Sequence, residues 1–354
     1  GMDFLDVRYN VIQWVHRSTR GWSYGASVRD PRTGEILKGH VSLGSLRVRQ
    51  DYLIAQGLLQ PFEDGKPTDK RMLELAVARL KQLSAHEIGH TIGLAHNFAA
   101  SSVGRASVMD YPYPLIKQDI EGNLDLNSAY DNKIGVWDKW AITYGYGYPP
   151  EGVDETSYLT KALQDTYHAG YEFITDTDAR DSSGVHPRSH LWDNGGSAAG
   201  ELKRMLALRE TRMASFNLNA IPFGQPEATL EEVFVPLYLM HRYQLEATAK
   251  LIGGMDYSYK IKGDNQPNQS WITAAIQQES LDAVLFALEP SQLKAPEHVL
   301  ALIPPRPFGY SRNRETFASR MGPLFDPIAP AENIVDVAFK FLLEGGRANR
   351  VYIQ

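Results

Sequence analysis

The chain has 354 residues, 43% of them hydrophobic and 22% charged, the make-up of an ordinary globular protein with enough length for one large core or two modest ones. A net charge of −6 with no Lys/Arg-rich run argues against nucleic acid as a partner and gives a membrane-surface role no electrostatic support. The longest apolar run, Val233 to Met240, is interrupted by Pro236 and is far too short for a transmembrane segment, and the absence of cysteine excludes disulfides, thiolate metal sites and a cysteine nucleophile.

Gly1-Met2 reads as a scar of tag removal, and no signal peptide follows it. Val7 to His16 is rich in β-branched and aromatic residues and predicts a strand. Asp30-Pro31-Arg32-Thr33-Gly34 is turn chemistry between Tyr24–Val28 and Glu35–Leu43, which predicts a β-hairpin. A helix is expected from Arg47 to Leu59. Gly65-Lys66-Pro67-Thr68 breaks the chain, and Thr68 is the expected N-cap of a long helix running to about Leu94. Its apolar stripe is read from Leu73, Ala76, Val77, Leu80 and Leu83. Ser128 to Tyr144, with Trp137 and Trp140, predicts a further helix, and Gly145 to Pro150 reads as a boundary. Beyond it, Ser197–Asn217, Leu230–Ile252, Trp271–Leu288 and Glu332–Leu343 all predict helices. The division is therefore a mixed α and β part, residues 1–148, followed by a mainly helical part, residues 149–354.

Residues 86 to 96 read His-Glu-Ile-Gly-His-Thr-Ile-Gly-Leu-Ala-His. Histidines four apart on a helix stand one turn above each other, so His86 and His90 can reach one ion. Gly93 can take a positive φ and turn the chain out of the helix, which lets His96 swing back as a third ligand. Three neutral nitrogens leave a coordination position open for water, as in a catalytic rather than a structural zinc site. Glu87, directed toward that water, is the expected general base. The two-His-plus-Glu pattern alone is only moderately specific; a glycine and a third histidine at fixed offsets, at the end of an amphipathic helix, make histidines that merely pack a poor alternative.

This motif resembles the eleven-residue zinc motif of the metzincin clan of metallopeptidases. Ser107-Val108-Met109-Asp110-Tyr111 is similar to the clan's Met-turn, which implies that Met109 packs beneath the ligands without touching zinc. The short gap from His96 to Met109 resembles matrixins. The Met-x-Tyr pattern is closer to astacins and serralysins, and implies for Tyr111 a role as an extra zinc ligand or a hydrogen-bond donor to the transition state; a pocket-lining tyrosine without a metal bond stands beside it as an alternative. Pro112 and Tyr113 fall where the clan builds the wall of the pocket for the residue after the scissile bond. The strand through His40, Val41, Ser42, Leu43 and Gly44 resembles the clan's edge strand, which pairs with extended substrate.

The whole chain more loosely resembles a family of large bacterial secreted zinc-dependent metallopeptidases whose catalytic domain is followed by a helical region. The resemblance implies an α+β fold: a zincin catalytic domain with a twisted, mostly parallel sheet, an active-site helix and a Met-turn, then a mainly helical domain. It implies one catalytic zinc ion, a peptide or protein substrate, and a secreted, periplasmic or cell-surface location in a bacterium. The clan's domains begin with a strand and a helix not found in residues 1–16, so a preceding region of the full-length protein is expected to pack on residues 1–60.

Asp176-Thr177-Asp178-Ala179-Arg180-Asp181 spaces its carboxylates as a calcium loop does, but lacks the later ligands and the glycine, so a solvated turn is favoured over calcium. His186 to Gly195 reads as a structural loop that could fold over the cleft. His16, His40, His168, His241 and His298 read as isolated surface or core histidines. The leading reading is a zinc endopeptidase with Glu87 as base. Its rivals are a metzincin-like binding or scaffold protein without turnover, which retention of Glu87 argues against, and a metal hydrolase of non-peptide substrates.

Overall fold

The structure, a computed structural model, describes residues 3–16, 21–64, 66, 68–131 and 133–354; the expected tag scar at Gly1-Met2 and the chain-breaking Gly65 and Pro67 lie outside them. Strands β1 (Val11–Val15), β2 (Tyr24–Arg29) and β3 (Ile36–Gly44) form one sheet in the order β1-β3-β2. The predicted hairpin is present as the antiparallel β2–β3 pair, closed by Gly34 at φ +77° with its N–H on the Asp30 carbonyl at 2.8 Å. β1 runs parallel to β3. The sheet thus holds one parallel and one antiparallel pairing in place of the mostly parallel sheet expected, and two further two-stranded ribbons complete the α+β arrangement: β4 (Lys117–Gln118) with β5 (Leu124–Asp125), and β6 (Met255–Asp256) with β7 (Ser270–Trp271).

The order corrects the reading of β3 as an edge. His40, Val41 and Ser42 pair with Val11, Ile12 and Gln13 on one side and with Ala26, Gly25 and Tyr24 on the other. Leu43 and Gly44 pair with Trp14 and Val15, and the Gly44 N–H is taken by the Ser23 hydroxyl at 3.1 Å. Both backbone edges of residues 40–42 are filled, so an extended substrate cannot add there.

Helix α1 (Ser45–Leu59) follows β3 directly, and the long helix α2 (Lys70–Thr91) lies beside it. The cap of α2 is Asp69, whose carboxylate accepts the Arg71 N–H at 2.9 Å, one residue later than expected. The helix ends at Thr91, not Leu94. Its buried face also differs from the predicted stripe: Leu73 and Val77 are 63% and 39% exposed, while Met72, Leu75, Ala76, Arg79, Gln82, Leu83 and His86 are buried. One apolar stripe cannot describe a helix with two partners. Leu80 and Leu83 pack on Val41 and Leu43 of the sheet, whereas Met72 and Leu75 join the large core built with the C-terminal helices.

The helix expected over 128–144 is shifted, forming α3 (Val136–Tyr146). Gly135 is its N-cap, with its N–H on the Asp138 carboxylate at 2.6 Å, and a Cβ there would meet the Ala106 carbonyl at 1.8 Å. Helices α4 (Glu155–His168) and the short α5 (Asp176–Ala179) were not legible, but α6 (Ala198–Ala214), capped by Ser197, was. The single helix expected over 230–252 is two, α7 (Leu230–Tyr238) and α8 (Arg242–Lys250). Pro236 lacks an N–H for the ladder, and α7 stops two residues later with the Tyr238 carbonyl accepting the Arg209 guanidinium at 2.7 Å. Helices α9 (Ala274–Ala287) and Ala329–Leu342 match the remaining predictions closely. The largest hydrophobic cluster joins Leu58, Met72 and Leu75 to Leu202, Met205, Phe234, Val284 and Phe341, so one core runs across residue 148. No helix among the described residues is long and apolar enough to cross a membrane.

Candidate metal centre and active site

α2 carries His86 and His90 one turn apart near its C-terminus. Gly93, at φ +92°, then reverses the chain so that His96 faces them, as the spacing predicts. The ring nitrogens divide into two sets. Each Nδ1 points outward to an acceptor: His86 to the Val108 carbonyl at 2.7 Å, His90 to the Leu94 carbonyl at 2.8 Å, and His96 to the Asp176 carboxylate at 2.6 Å. Carbonyl and carboxylate oxygens only accept, so Nδ1 carries the proton and Nε2 a lone pair in the neutral ring. Burial, with His90 beside it, holds His86 well below its ordinary pKa; burial likewise lowers His96, against the pull of Asp176.

The three Nε2 atoms converge. His90 Nε2 lies 3.1 Å from that of His86 and 3.2 Å from that of His96. Lone pairs facing each other at this distance with no proton between them repel, and a cation at their centre turns that repulsion into ligation. Ligands of a tetrahedral zinc at 2.0–2.1 Å stand about 3.3 Å apart, close to the separations found. Donor chemistry and geometry therefore fit one zinc ion, and the three histidines could bind a metal.

Glu87 is buried beneath β2, where the Gly25 N–H reaches it. Burial pushes its pKa up to about 7, against the pull of Arg79, the Gly25 N–H and Arg47. Gly25 on β2 is required by this contact, since a Cβ there would lie 1.9 Å from the Glu87 carbonyl oxygen. Below the triad, Met109 is fully buried, and its Sδ would be 2.3 Å from a Cβ at Gly89. Asp138 holds this turn in place: it accepts the Val108 N–H at 2.9 Å, the Gly135 N–H at 2.6 Å and the Ser107 hydroxyl. Tyr111 lies with its ring centre 4.7 Å from His96 and 5.3 Å from His86, and its hydroxyl accepts from Arg180 at 3.4 Å.

Two parts of the site come from far along the chain. Asp176, expected in a solvated turn, orients His96 and also pairs with Arg180, while Asp178 accepts the hydroxyls of Tyr257 and Tyr259. Trp192, at φ +65°, stacks on Tyr111 at 5.0 Å and donates its backbone N–H to the Tyr111 carbonyl at 2.8 Å. The His186–Gly195 segment thus lies against the residues after the Met-turn. Pro112 and Tyr113 line a cavity beside Trp192. His40 is away from the triad, its ring between those of Phe4 and Tyr24.

The sequence from residue 68 to residue 354 matches the protein family described as Met-zincin. The chain belongs to that family. Membership implies zinc-dependent peptidase activity, and the match takes in both the His triad and the distant Asp176 that orients it. No curated protein and no solved structure matches the chain.

Proposed function

We propose that this Met-zincin is an endopeptidase that hydrolyses peptide bonds with His86, His90 and His96 as zinc ligands and Glu87 as general base. The observation that carries this reading is the convergence of three Nε2 atoms next in the chain to the buried carboxylate of Glu87. Zinc at this site supplies Lewis acidity toward water and toward the carbonyl oxygen of the scissile bond. Glu87 takes a proton from the attacking water and gives it to the leaving amine nitrogen, so one water is consumed as an acid and an amine are released. We assign Tyr111, whose ring lies beside those of His86 and His96, to the developing oxyanion as a hydrogen-bond donor.

The outer edge of β2, which no strand covers among the described residues and whose Gly25 N–H is engaged by Glu87, is the edge we assign to extended substrate in place of β3. It belongs to the strand seated on Glu87 through Gly25, and main-chain pairing along it suits internal sites of a peptide.

Digestion of a mixed peptide library by the zinc-loaded chain, compared with its Glu87→Ala variant, tests this. Internal cleavage by the parent that collapses in the variant is expected. Equal cleavage by both would overturn the role of Glu87, and trimming confined to chain ends would overturn the endopeptidase assignment.

A further inference from the structure

A cavity of about 300 Å³ opens beside the Met-turn, walled by α1, α2, Pro112–Pro114, Trp192 and the α7–α8 corner. Its apolar surface is part aromatic, from Trp192, Tyr243 and Phe317, and part aliphatic, from Leu53, Ile54 and Leu239. Its charge is concentrated in arginine. The guanidinium of Arg47 lies 4.7 Å from the Trp192 ring centre and that of Arg79 5.7 Å from the same ring, so α1 and α2 deliver two cations to one indole. Arg242 joins them from α8, where it bonds the Tyr243 hydroxyl at 2.7 Å.

The acids in the wall do not balance this charge. Glu232 is taken by Arg306 at 2.9 Å, and Glu315 by Arg49. That leaves Asp51, itself held by the Tyr130 hydroxyl at 2.5 Å, to face Arg79 and Arg47. Burial and the neighbouring Arg79 both lower the pKa of Arg47. Among the described residues its one hydrogen bond is to Gln50 at 3.1 Å, and the side chain lines the cavity. Like charges brought together out of water are costly unless an anion joins them.

The cavity adjoins the reacting centre. Arg79 lies two turns before His86 on the same buried face of α2, and both Arg79 and Arg47 act on Glu87. Trp192, the ring beneath the two guanidiniums, stacks on Tyr111. The cavity thus shares Trp192 with the residues that stand beside the triad. The protein as a whole carries −6, so this is a local positive site in an acidic molecule.

We infer that the cavity is a specificity subsite for an acidic side chain, Asp or Glu, next to the scissile bond, with Arg47 gripping the carboxylate and Trp192 and Tyr243 flanking its stem. This rests on the peptidase reading. A guanidinium fork matches a carboxylate with two parallel hydrogen bonds, and the aromatic walls suit a short apolar stem. The C-terminal carboxylate of a peptide offers the same chemistry, and blocked peptides separate the two sources.

The test is cleavage-site profiling of the zinc-loaded full chain on peptides with free and with amidated C-termini, followed by kcat/KM on a matched pair with Glu or Gln at the selected position. The expected Glu:Gln ratio is on the order of tenfold or more, and R47Q should bring it close to one. D51N, which removes the competing carboxylate and leaves the arginines, should raise it, and serves if R47Q fails to fold. No acidic preference, a preference unchanged in both variants, or one confined to free C-termini would overturn the side-chain assignment. If no peptide is cut, the peptidase reading fails separately. Calorimetry with an acetylated, amidated Glu tripeptide and its Gln counterpart then decides the subsite: Glu-selective binding lost in R47Q supports it, and equal binding overturns it.

Discussion

Asp176 accepts the Nδ1 proton of His96 at 2.6 Å, although eighty residues separate them in the chain. The contact fixes which nitrogen of His96 is free for a metal and makes that nitrogen a better donor, the usual work of a carboxylate behind a histidine ligand. Removing it leaves His96 free to turn and to protonate. D176A is therefore expected to weaken zinc binding by about 10–100-fold, with a smaller loss in D176N, which keeps an acceptor oxygen. Competition with a chromogenic chelator measures this. A zinc affinity unchanged in D176A would refute the orienting role.

Gly89 shows how close Met109 comes to the helix that carries the ligands. In an exposed helix, Gly→Ala would stabilise by about 1 kcal/mol through propensity. Here the new Cβ falls 2.3 Å from Met109 Sδ, well inside contact distance. Overpacking of this kind costs about 1–3 kcal/mol, so the clash outweighs the propensity and G89A should be destabilised. Denaturant unfolding of G89A, M109A and the double variant gives the coupling directly. Additive losses would show that the two residues do not constrain each other.

The local parts of this site were legible because their signals are local. The spacing of His86, His90 and His96 needs only helical geometry and one glycine, and Gly93 has the positive φ that the motif predicts. The turn at Gly34 likewise follows from its own residues. Asp176 and Trp192 left no such signal, since nothing in their spacing says that α5 returns to the triad. The strand order was misread for a related reason. Residues 36–44 read equally well as an edge or a centre, and only the pairing with β1 decides it. Pro236 was visible inside the expected 230–252 helix, and its missing N–H was the available sign that the helix would divide.

Arg347, near the end of the chain, is buried and donates to the carbonyls of Phe341 at 2.6 Å, Ala249 at 2.8 Å, Ile252 at 2.7 Å and Ser182 at 2.9 Å. It closes the C-terminus of α8 and ties it to the segment that follows Asp176. R347M fills similar space but leaves these acceptors without donors. Each buried unsatisfied group costs about 1–3 kcal/mol, so a loss of about 3 kcal/mol or more is expected. Thermal unfolding measures it. A melt like the parent's would mean that water or another group replaces the guanidinium.

Asp51 gives the stability a pH dependence whose sign can be worked out. Burial raises its pKa to about 6, against the opposing pull of Arg79, the Tyr130 hydroxyl and Arg47. The folded protein thus holds this proton more tightly than the unfolded chain, where the group titrates near 3.8. Its contribution to stability is fully present below the unfolded value and is lost as the pH rises through about 6. A shift of this size corresponds to roughly 3 kcal/mol between the two ends of the window. D51N keeps an oxygen for the Tyr130 hydroxyl but cannot ionise, so it lacks this dependence. Urea unfolding of parent and D51N from pH 4 to pH 8 should show the parent losing up to about 3 kcal/mol relative to the variant as the pH rises. A constant difference across that range would mean that Asp51 stays ionised in the fold, paired with the arginines around it. The cavity would then hold its countercharge across the whole range, and the gain in acidic preference expected of D51N would no longer depend on pH.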